Sequence, residues 1–335
     1  MFRSCLATAA VLVAVTLASA AAAEVTDVRV GRTPTLSQLP IYVLEGEKLI
    51  EKHARSAGLG EVTVKYVDVA GGAVLNDMLL GNNLEFATGG LPPFLILWSK
   101  SAGTANEVKA IAAVGGTPST LYVRNPKVQS IRDLSSDDKI AVAGVKSSQV
   151  AIVLQMAAAE AFGDRAYAKL DPLTVTMRDA DAVGVLKSGK GELTGHFTYD
   201  PFRAQYDNDP SIHAILHSKD VLGGAGTVTV AYATKRFHDA NPKLVAAYFA
   251  ALADADDIIK RDPARAARHY KLLTKAPQSE DALVLMIRQP DAQYGVTPVA
   301  LMKFATFMAR IGTLREAPAS WKEVFFPEAH SLPGT

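Results

Sequence analysis

The chain has 335 residues, of which 49% are apolar and 21% charged, with 35 Lys and Arg residues against 34 Asp and Glu residues. Because the charge is balanced and no dense basic stretch occurs, the composition argues against a nucleic-acid-binding protein, and we expect no nucleic-acid partner. The length is sufficient for about two domains with large cores.

The first 23 residues have the pattern of a secretory signal peptide. Arg3 supplies a positive charge, residues 6–17 are an apolar run, and small residues permit cleavage after Ala20 or Ala23. The run is shorter than the roughly 20 residues that a membrane span needs. The only cysteine, Cys5, lies inside this segment, so the mature chain has no disulfide and no cysteine-based metal site. We therefore expect a soluble protein exported to the periplasm.

Predicted strands and helices alternate along the rest of the chain. The first series has strands at 25–30, 62–67, 84–87 and 108–114, and helices at 39–57, 73–80 and 92–100. The second series begins after a turn at Gly115-Gly116-Thr117-Pro118 and has strands at 121–124, 140–143, 173–177 and 193–197, with helices at 148–162 and 180–186. A strand at 228–233 then precedes helices at 242–260, 263–274, 279–287 and 298–311. This alternation predicts an α/β protein with parallel-rich sheets covered by helices.

Two segments of the chain repeat the same order of features. Leu79–Gly90 and Leu186–Phe197 each follow a helical stretch, break at a glycine and enter a short strand that carries one acidic residue. The repetition predicts two similar α/β lobes. We assign residues 24–115 and 226–335 to lobe I and residues 116–225 to lobe II. The two short crossings between the lobes indicate a hinge.

The sequence lacks the common catalytic and metal-binding patterns. It has no Gly-x-Ser-x-Gly elbow, no phosphate loop that ends in Gly-Lys-Ser/Thr and no complete dinucleotide-binding glycine fingerprint. The seven histidines show no diagnostic ligand spacing. We therefore predict a protein that is not an enzyme, with no catalytic residue, metal site or cofactor. The acidic residues Asp254, Asp256 and Asp257 are expected to face solvent from one helix.

The loops that follow the predicted strands are the candidate ligand-binding segments, because open parallel sheets bind ligands outside the carboxyl ends of their strands. Helix N-termini at Gly72 and Ser148 would offer free amides and a partial positive charge to an anion. Tyr199 and His196 would stack on a flat ligand. The predicted ligand-binding residues are Thr35, Ser37, Gln38, Gly71, Gly72, Thr88, Gly89, Ser147, Ser148, Gln149, His196, Thr198 and Tyr199.

Several short motifs follow one another in a specific order over nearly the whole mature chain. They include Pro40-Ile41-Tyr42-Val43, Gly71-Gly72, Ile131-Arg132-Asp133-Leu134, Asn241-Pro242 and Pro318-Ala319-Ser320-Trp321. Their order resembles that of the nitrate/sulfonate/taurine-type periplasmic solute-binding proteins. The resemblance implies a two-lobed type II periplasmic binding protein fold, which closes on a small-molecule ligand by a hinge motion. It also implies delivery of that ligand to an ABC permease of the inner membrane with its ATPase, and we expect a monomer.

The identity of the ligand stays open in the sequence. Glu85 and Glu192 occupy positions where the family usually has Asp, and Thr194-Gly195-His196-Phe197 replaces a more common Ala-rich ending. We expect a small organic anion, either sulfonate-like or carboxylate-like. The alternatives are a neutral heteroaromatic such as a pyrimidine, or a role as a periplasmic ligand-sensing subunit. The related thiamine-pyrimidine synthases rely on a cysteine-rich motif, which the mature chain lacks.

Overall fold

The computed structural model describes residues 23–69 and 71–335 of the chain. The predicted signal peptide, apart from its last residue, lies outside the described residues. Within the described part of the chain, every helix is too short or too polar to cross a bilayer.

The first part of the described chain alternates between strand and helix, as predicted. Its elements are β1 (Asp27–Arg32), α1 (Leu39–Glu47), α2 (Leu49–Ser56), β2 (Thr63–Asp68), α3 (Gly72–Leu80), β3 (Phe86–Gly90), α4 (Leu91–Ser101) and β4 (Val108–Gly116). One prediction is wrong in detail, because the helix expected at 39–57 is two helices. Lys48 lies between them with φ of 52°, a left-handed conformation that ends helices.

The second part of the chain builds a second set of elements and then returns to the first. The second set is β5 (Ser119–Val123), β6 (Ile140–Val142), α5 (Gln149–Phe162), β7 (Thr174–Thr176), α6 (Asp179–Ser188), β8 (Gly195–Tyr199), β9 (His213–His217) and α7 (Ser218–Leu222). The returning part is β10 (Thr229–Thr234), α8 (Lys235–Ala240), α9 (Pro242–Arg261), α10 (Pro263–Thr274), α11 (Glu280–Ile287), β11 (Gln293–Tyr294) and α12 (Leu301–Arg310).

The strands form two sheets with the same internal order. The six-stranded sheet has the order β11-β4-β10-β3-β1-β2, and the five-stranded sheet has the order β7-β6-β8-β5-β9. Counted from β2 in the larger sheet and from β7 in the smaller one, the first three strands are parallel, and the fourth strand (β10 or β5) is antiparallel to both of its neighbours. The repeated segments of the sequence lead into β3 and β8, which occupy equivalent places. The prediction of two similar α/β lobes with parallel-rich sheets is therefore confirmed. Lobe I contains the six-stranded sheet, and lobe II contains the five-stranded sheet.

The two crossings between the lobes pass each other at glycines. One crossing joins β4 to β5, and the other runs from the end of α7 to β10. A Cβ atom on Gly116 would lie only 2.0 Å from the carbonyl oxygen of Gly226, and one on Gly115 would lie 2.5 Å from the carbonyl oxygen of Ser37. The backbones therefore approach so closely at the hinge that a side chain has no room there.

A continuous cluster of buried apolar side chains extends from lobe I into lobe II. It includes Leu91 and Leu95 on α4, Val150 and Leu154 on α5, and Phe307 on α12. Helices α4 and α12 pack against α5 across the boundary between the lobes. Because apolar burial stabilises by about 25 cal/mol per Å², this packing holds the lobes together on one side.

The expectation that Asp256 faces solvent is wrong. Asp256 is buried, with its Oδ2 atom 3.9 Å from the Cβ position of Gly295, whereas its neighbours Asp254 and Asp257 are exposed. The reason is that the chain segment after β11 covers this side of α9. Burial raises the pKa of Asp256 to about 8, against a lowering by Lys260.

We predict that replacing Gly116 by Ala will destabilise the protein by about 1–3 kcal/mol, because the added methyl group meets a backbone carbonyl that cannot move independently. The control is Gly184→Ala in the middle of α6, where nothing lies within 4 Å of the added Cβ and a small gain in stability is expected. Urea unfolding measures both. Equal stability of the two variants would show that the hinge tolerates a side chain.

We predict that Asp256→Asn will stabilise the protein increasingly between pH 4 and pH 8. The folded protein holds a proton on Asp256 up to about pH 8, whereas the unfolded chain releases it near its ordinary pKa. Stability from this group therefore falls as the pH rises through that window. Each tenfold difference in proton affinity corresponds to about 1.4 kcal/mol.

The measurement is the melting temperature of both proteins at pH 4, 6, 8 and 9, with the exposed Asp257→Asn as control. The gap between Asp256→Asn and the parent should widen up to pH 8 and then level off. A constant gap across this range would rule out an Asp256 pKa far above its ordinary value.

Candidate ligand-binding site

The loop after β1 is tied to the end of β3 by the side chain of Gln38. Its Oε1 atom accepts from the Thr33 amide at 3.0 Å, and its Nε2 atom donates to Thr33 Oγ1 at 2.7 Å and to the Thr88 carbonyl oxygen at 3.1 Å. In the same loop the hydroxyls of Thr35 and Ser37 lie 2.9 Å apart. These contacts bring four of the predicted ligand-binding residues of lobe I into one place.

Thr88 and Gly89 are consecutive residues of β3, so they face opposite sides of the six-stranded sheet. Thr88 is fully buried, and its hydroxyl lies 3.4 Å from that of Tyr248 in the core. Gly89 lies against α3, since a Cβ atom there would come within 2.7 Å of Leu75 Cδ2. Thr88 therefore supports the core, and Gly89 permits the close approach of α3.

The amino end of α3 is the main source of free amides in lobe I. Its cap at Gly71-Gly72 has no side-chain hydrogen bond, and the first three amides of a helix have no carbonyl partner within it. Helix α4 begins beside it, since the Cβ position of Gly72 lies 3.0 Å from Pro93. Pro92-Pro93 has no N–H, and the Leu91 amide donates to the Val228 carbonyl at 2.8 Å. Only α3 is therefore suited to an anion here.

The amino end of α5 is the equivalent feature of lobe II. Ser148 caps the helix by accepting from the Ala151 amide at 3.4 Å, and Ser147 just before it is partly exposed. Every residue from 149 to 159 is buried. A buried helix dipole is less screened by water than a surface one, which strengthens the positive field at this end. Gln149 Oε1 is buried and has no hydrogen-bond partner among the described residues.

Tyr199 at the end of β8 lies beside the amino end of α5. Burial raises the pKa of its hydroxyl, the Asp179 carboxylate raises it further, and the Val150 amide opposes both. Tyr199 also belongs to the buried apolar cluster that contains Val150, so it lies close to the start of α5. The structure thus groups Tyr199 with Ser147, Ser148 and Gln149.

His196 and Thr198 point to the opposite face of β8 from Tyr199, because side chains alternate along a strand. His196 is fully buried, with Nδ1 at 2.7 Å from the Tyr206 hydroxyl and Nε2 at 3.1 Å from Asp179 Oδ1. Thr198 donates to the same Asp179 oxygen. The structure therefore does not bring His196 and Tyr199 together as a stacking pair.

The two lobes contact each other directly through hydrogen bonds. The Leu36 amide donates to the Asp200 carbonyl at 3.3 Å. Gln278 Nε2 donates to the Pro201 carbonyl at 3.1 Å. Sequence reasoning missed Gln278, and no local signal marks it, because it comes from a loop far along the chain. Its partner segment, Asp200-Pro201, directly follows β8, and that position could have marked the segment as part of the site.

A buried ion pair lies where the lobes meet. Arg203 Nη2 lies 2.9 Å from Asp200 Oδ2 and 2.9 Å from Gln289 Oε1, and Gln289 Nε2 donates to Asp200 Oδ2 at 3.2 Å. Burial raises the pKa of Asp200, whereas the Arg203 guanidinium opposes that rise. Because Gln289 belongs to lobe I and the other two to lobe II, the ion pair also connects the lobes.

Within residues 23–69 and 71–335, no three His, Cys, Asp or Glu side chains come together as a metal-binding group. The arrangement around the lobe boundary is instead one of helix amino ends, hydroxyls and amides. It is suited to holding a small polar molecule by hydrogen bonds.

Comparison with known proteins gives one family and a set of related folds. The sequence profile of the NMT1-like family matches residues 21–274. No curated protein matches the chain in sequence. Among solved structures, the alkanesulfonate-binding protein SsuA from Xanthomonas axonopodis pv. citri bound to MOPS has a TM-score of 0.67 and 18% identity, covering 89% of this chain and 96% of that one.

Two further solved structures have the same fold. The periplasmic aliphatic sulphonate binding protein SsuA from Escherichia coli has a TM-score of 0.67 at 15% identity, covering 91% of this chain and 99% of that one. The periplasmic nitrate-binding protein NrtA from Synechocystis PCC 6803 has a TM-score of 0.69 at 15% identity, covering 90% of this chain and 85% of that one. The type II periplasmic binding protein fold and the resemblance drawn from the motifs are thereby confirmed.

We predict that His196→Ala will lower the free energy of unfolding by about 2–4 kcal/mol, because it leaves a cavity and removes partners from the Tyr206 hydroxyl and the Asp179 carboxylate. His213→Ala on β9 is the matched control, since that partly buried ring has one partner, the Val128 carbonyl at 2.7 Å. Denaturant unfolding measures both. If the two variants lose equal stability, the contacts of His196 are not structural.

Proposed function

The chain belongs to the NMT1-like family, and from that membership we propose that it is the periplasmic substrate-binding component of an ABC-type importer. It captures a small organic anion, sulfonate-like or carboxylate-like, between its lobes and delivers it to a permease with its ATPase. The observation that carries the proposal is the direct contact between a strand-end loop of lobe I and one of lobe II. The loop after β1 of lobe I contacts the loop after β8 of lobe II, with the Leu36 amide 3.3 Å from the Asp200 carbonyl oxygen.

The hinge supports a cycle of opening and closing. The two crossings touch at Gly116 and Gly226, so both connections between the lobes pass through one narrow place. A ligand that contacts both lobes stabilises the closed arrangement by its differential affinity for that state. A permease can then distinguish the loaded protein from the empty one by shape.

The two helix amino ends support an anionic ligand. Helix α3 supplies amides from lobe I, and α5 supplies amides and the serines 147 and 148 from lobe II. Helix amino ends bind anions without a full cation, because their free N–H groups and the helix dipole act together. Thr35 and Ser37 supply further hydroxyl groups from the loop after β1.

The predicted signal peptide at residues 1–23 supports export to the periplasm. The printed names of two solved relatives also describe periplasmic proteins. A monomer suits this function, since both lobes that enclose the ligand belong to one chain.

A thermal-shift panel of alkanesulfonates, nitrate, aromatic carboxylates and pyrimidines tests the proposal. A ligand that binds only the folded state at 100 times its Kd stabilises by about 2.7 kcal/mol, so at least one organic anion should raise the melting temperature. No shift with any member, together with turnover of an ester or amide, would contradict a binding protein.

The double variant Ser147→Ala, Ser148→Ala should weaken binding of that anion at least about tenfold, because hydrogen bonds to charged groups contribute about 1.5–3 kcal/mol. Titration calorimetry measures the Kd. The matched control is Thr234→Ala, which removes the side-chain cap of α8. Strand β10 runs antiparallel to β3 and β4, so Thr234 at its carboxyl end lies at the opposite edge of the sheet from the ligand loops. An unchanged Kd in the double variant would exclude the α5 end as the anion site.

A further inference from the structure

Four buried polar atoms without a hydrogen-bond partner among the described residues lie around the ion pair that connects the lobes. We call them the unpaired set: Asp200 Oδ1, Arg203 Nε, Gln278 Oε1 and Tyr294 OH. Asp200 is fully buried. A buried polar atom left without a partner costs about 1–3 kcal/mol. Four such atoms in one place therefore indicate a group that they bind.

The unpaired set belongs to one locality. Asp200 Oδ2 lies 2.9 Å from Arg203 Nη2, so the carboxylate that carries Oδ1 and the guanidinium that carries Nε are in direct contact. Gln278 Nε2 is held at the Pro201 carbonyl, next along the chain from Asp200. A Cβ atom on Gly115 would lie 2.5 Å from the Ser37 carbonyl oxygen and 3.1 Å from Tyr294 Cδ1, so Tyr294 lies beside the loop after β1. In that loop the Leu36 amide donates to the Asp200 carbonyl.

The set lies at the lobe boundary. Tyr294 pairs with Gly115 at the end of β4, immediately before the hinge. Asp200 follows Tyr199, whose strand partner is Ser119, immediately after the hinge. The Asp200 carbonyl also accepts from the Leu36 amide of the loop after β1. The unpaired set therefore lies between the lobes and near the hinge.

The chemistry of the set selects a kind of ligand. Asp200 Oδ1 and Gln278 Oε1 accept hydrogen bonds, Arg203 Nε donates one, and Tyr294 OH does either. An acceptor beside a donor matches the edge of an amide or lactam, where an N–H adjoins a C=O. An ammonium group would satisfy Asp200 but leave Arg203 Nε without an acceptor, and a bare sulfonate would do the reverse.

We propose that Asp200, Arg203 and Tyr294 recognise an amide-type edge on the ligand, so that the bound solute is an organic anion that also carries a lactam, imide or carboxamide group. This rests on the proposed binding function and narrows its ligand class. The anionic group is held at the helix amino ends, and the amide-type edge points toward the hinge.

The experiment compares three probes by calorimetry on the full mature chain. Orotate carries a carboxylate and imide edges, benzoate carries the carboxylate alone, and 2-aminoethanesulfonate carries an anion and an ammonium. We expect orotate to bind at least about tenfold more tightly than benzoate, as one or two additional hydrogen bonds to charged groups would give. Equal Kd values for orotate and benzoate, or tightest binding of the ammonium compound, would overturn the inference while leaving a binding protein. No binding of any organic anion would instead contradict the proposed function.

Two variants test whether the preference for orotate over benzoate comes from the unpaired set. Asp200→Asn should reduce the orotate-to-benzoate ratio to about threefold or less, whereas Asp171→Asn should leave it unchanged. Asp171 is a suitable control because it is a partly buried carboxylate of lobe II that accepts from Gln155 at 2.9 Å.

Tyr294→Phe keeps the test open if Asp200→Asn does not fold. It removes only a hydroxyl that has no partner among the described residues, so the ligand-free protein should melt at the same temperature or higher. The orotate-to-benzoate ratio should still fall at least threefold. If Asp200 and Arg203 merely close on each other as a two-pronged ion pair, the ratio will not change in Tyr294→Phe, and the inference is wrong.

Discussion

The close contact between the two crossings is the constraint on which the rest of the structure depends. At Gly116 the carbonyl oxygen of Gly226 on the other crossing leaves no room for a Cβ atom. This contact brings together the end of β4 and the start of β10, which are in the same sheet, and sets where β5 begins in the other sheet. One crossing leads into β5 and the other into β10, and each of these strands is antiparallel to both of its neighbours. The two sheets therefore have the same order. The ends of their parallel strands then meet at one boundary.

The boundary between the lobes has two sides with different chemistry. On one side, α4 and α12 pack against α5 through a shared apolar cluster. On the other, Asp200, Arg203, Gln278 and Gln289 form hydrogen bonds from lobe to lobe. Apolar packing is not directional and tolerates small rotations, whereas hydrogen bonds require specific distances. The polar side is therefore the one whose contacts report how far the lobes have closed.

The amino ends of the helices show how local sequence selects which amides are available. Two helices of lobe I start side by side, but Pro92-Pro93 removes two N–H groups from α4 while Gly71-Gly72 leaves those of α3 unobstructed. In lobe II, α5 is buried from residue 149 to residue 159, which keeps water from screening its dipole. One helix end on each lobe thus offers free amides to the anion that we propose as the ligand.

The sequence by itself determined the alternation of strands and helices and the two-lobed fold. These features depend on local periodicity, on glycine and proline positions and on motif order, all of which the sequence displays directly. Only the tertiary structure decided that Asp256 is buried under the segment after β11, that His196 points away from Tyr199, and that Gln278 and Gln289 reach Asp200-Pro201. Each of these depends on contacts between residues far apart in the chain, for which neighbouring residues carry no signal. The groups that we propose to recognise a ligand also come together only where the lobes meet.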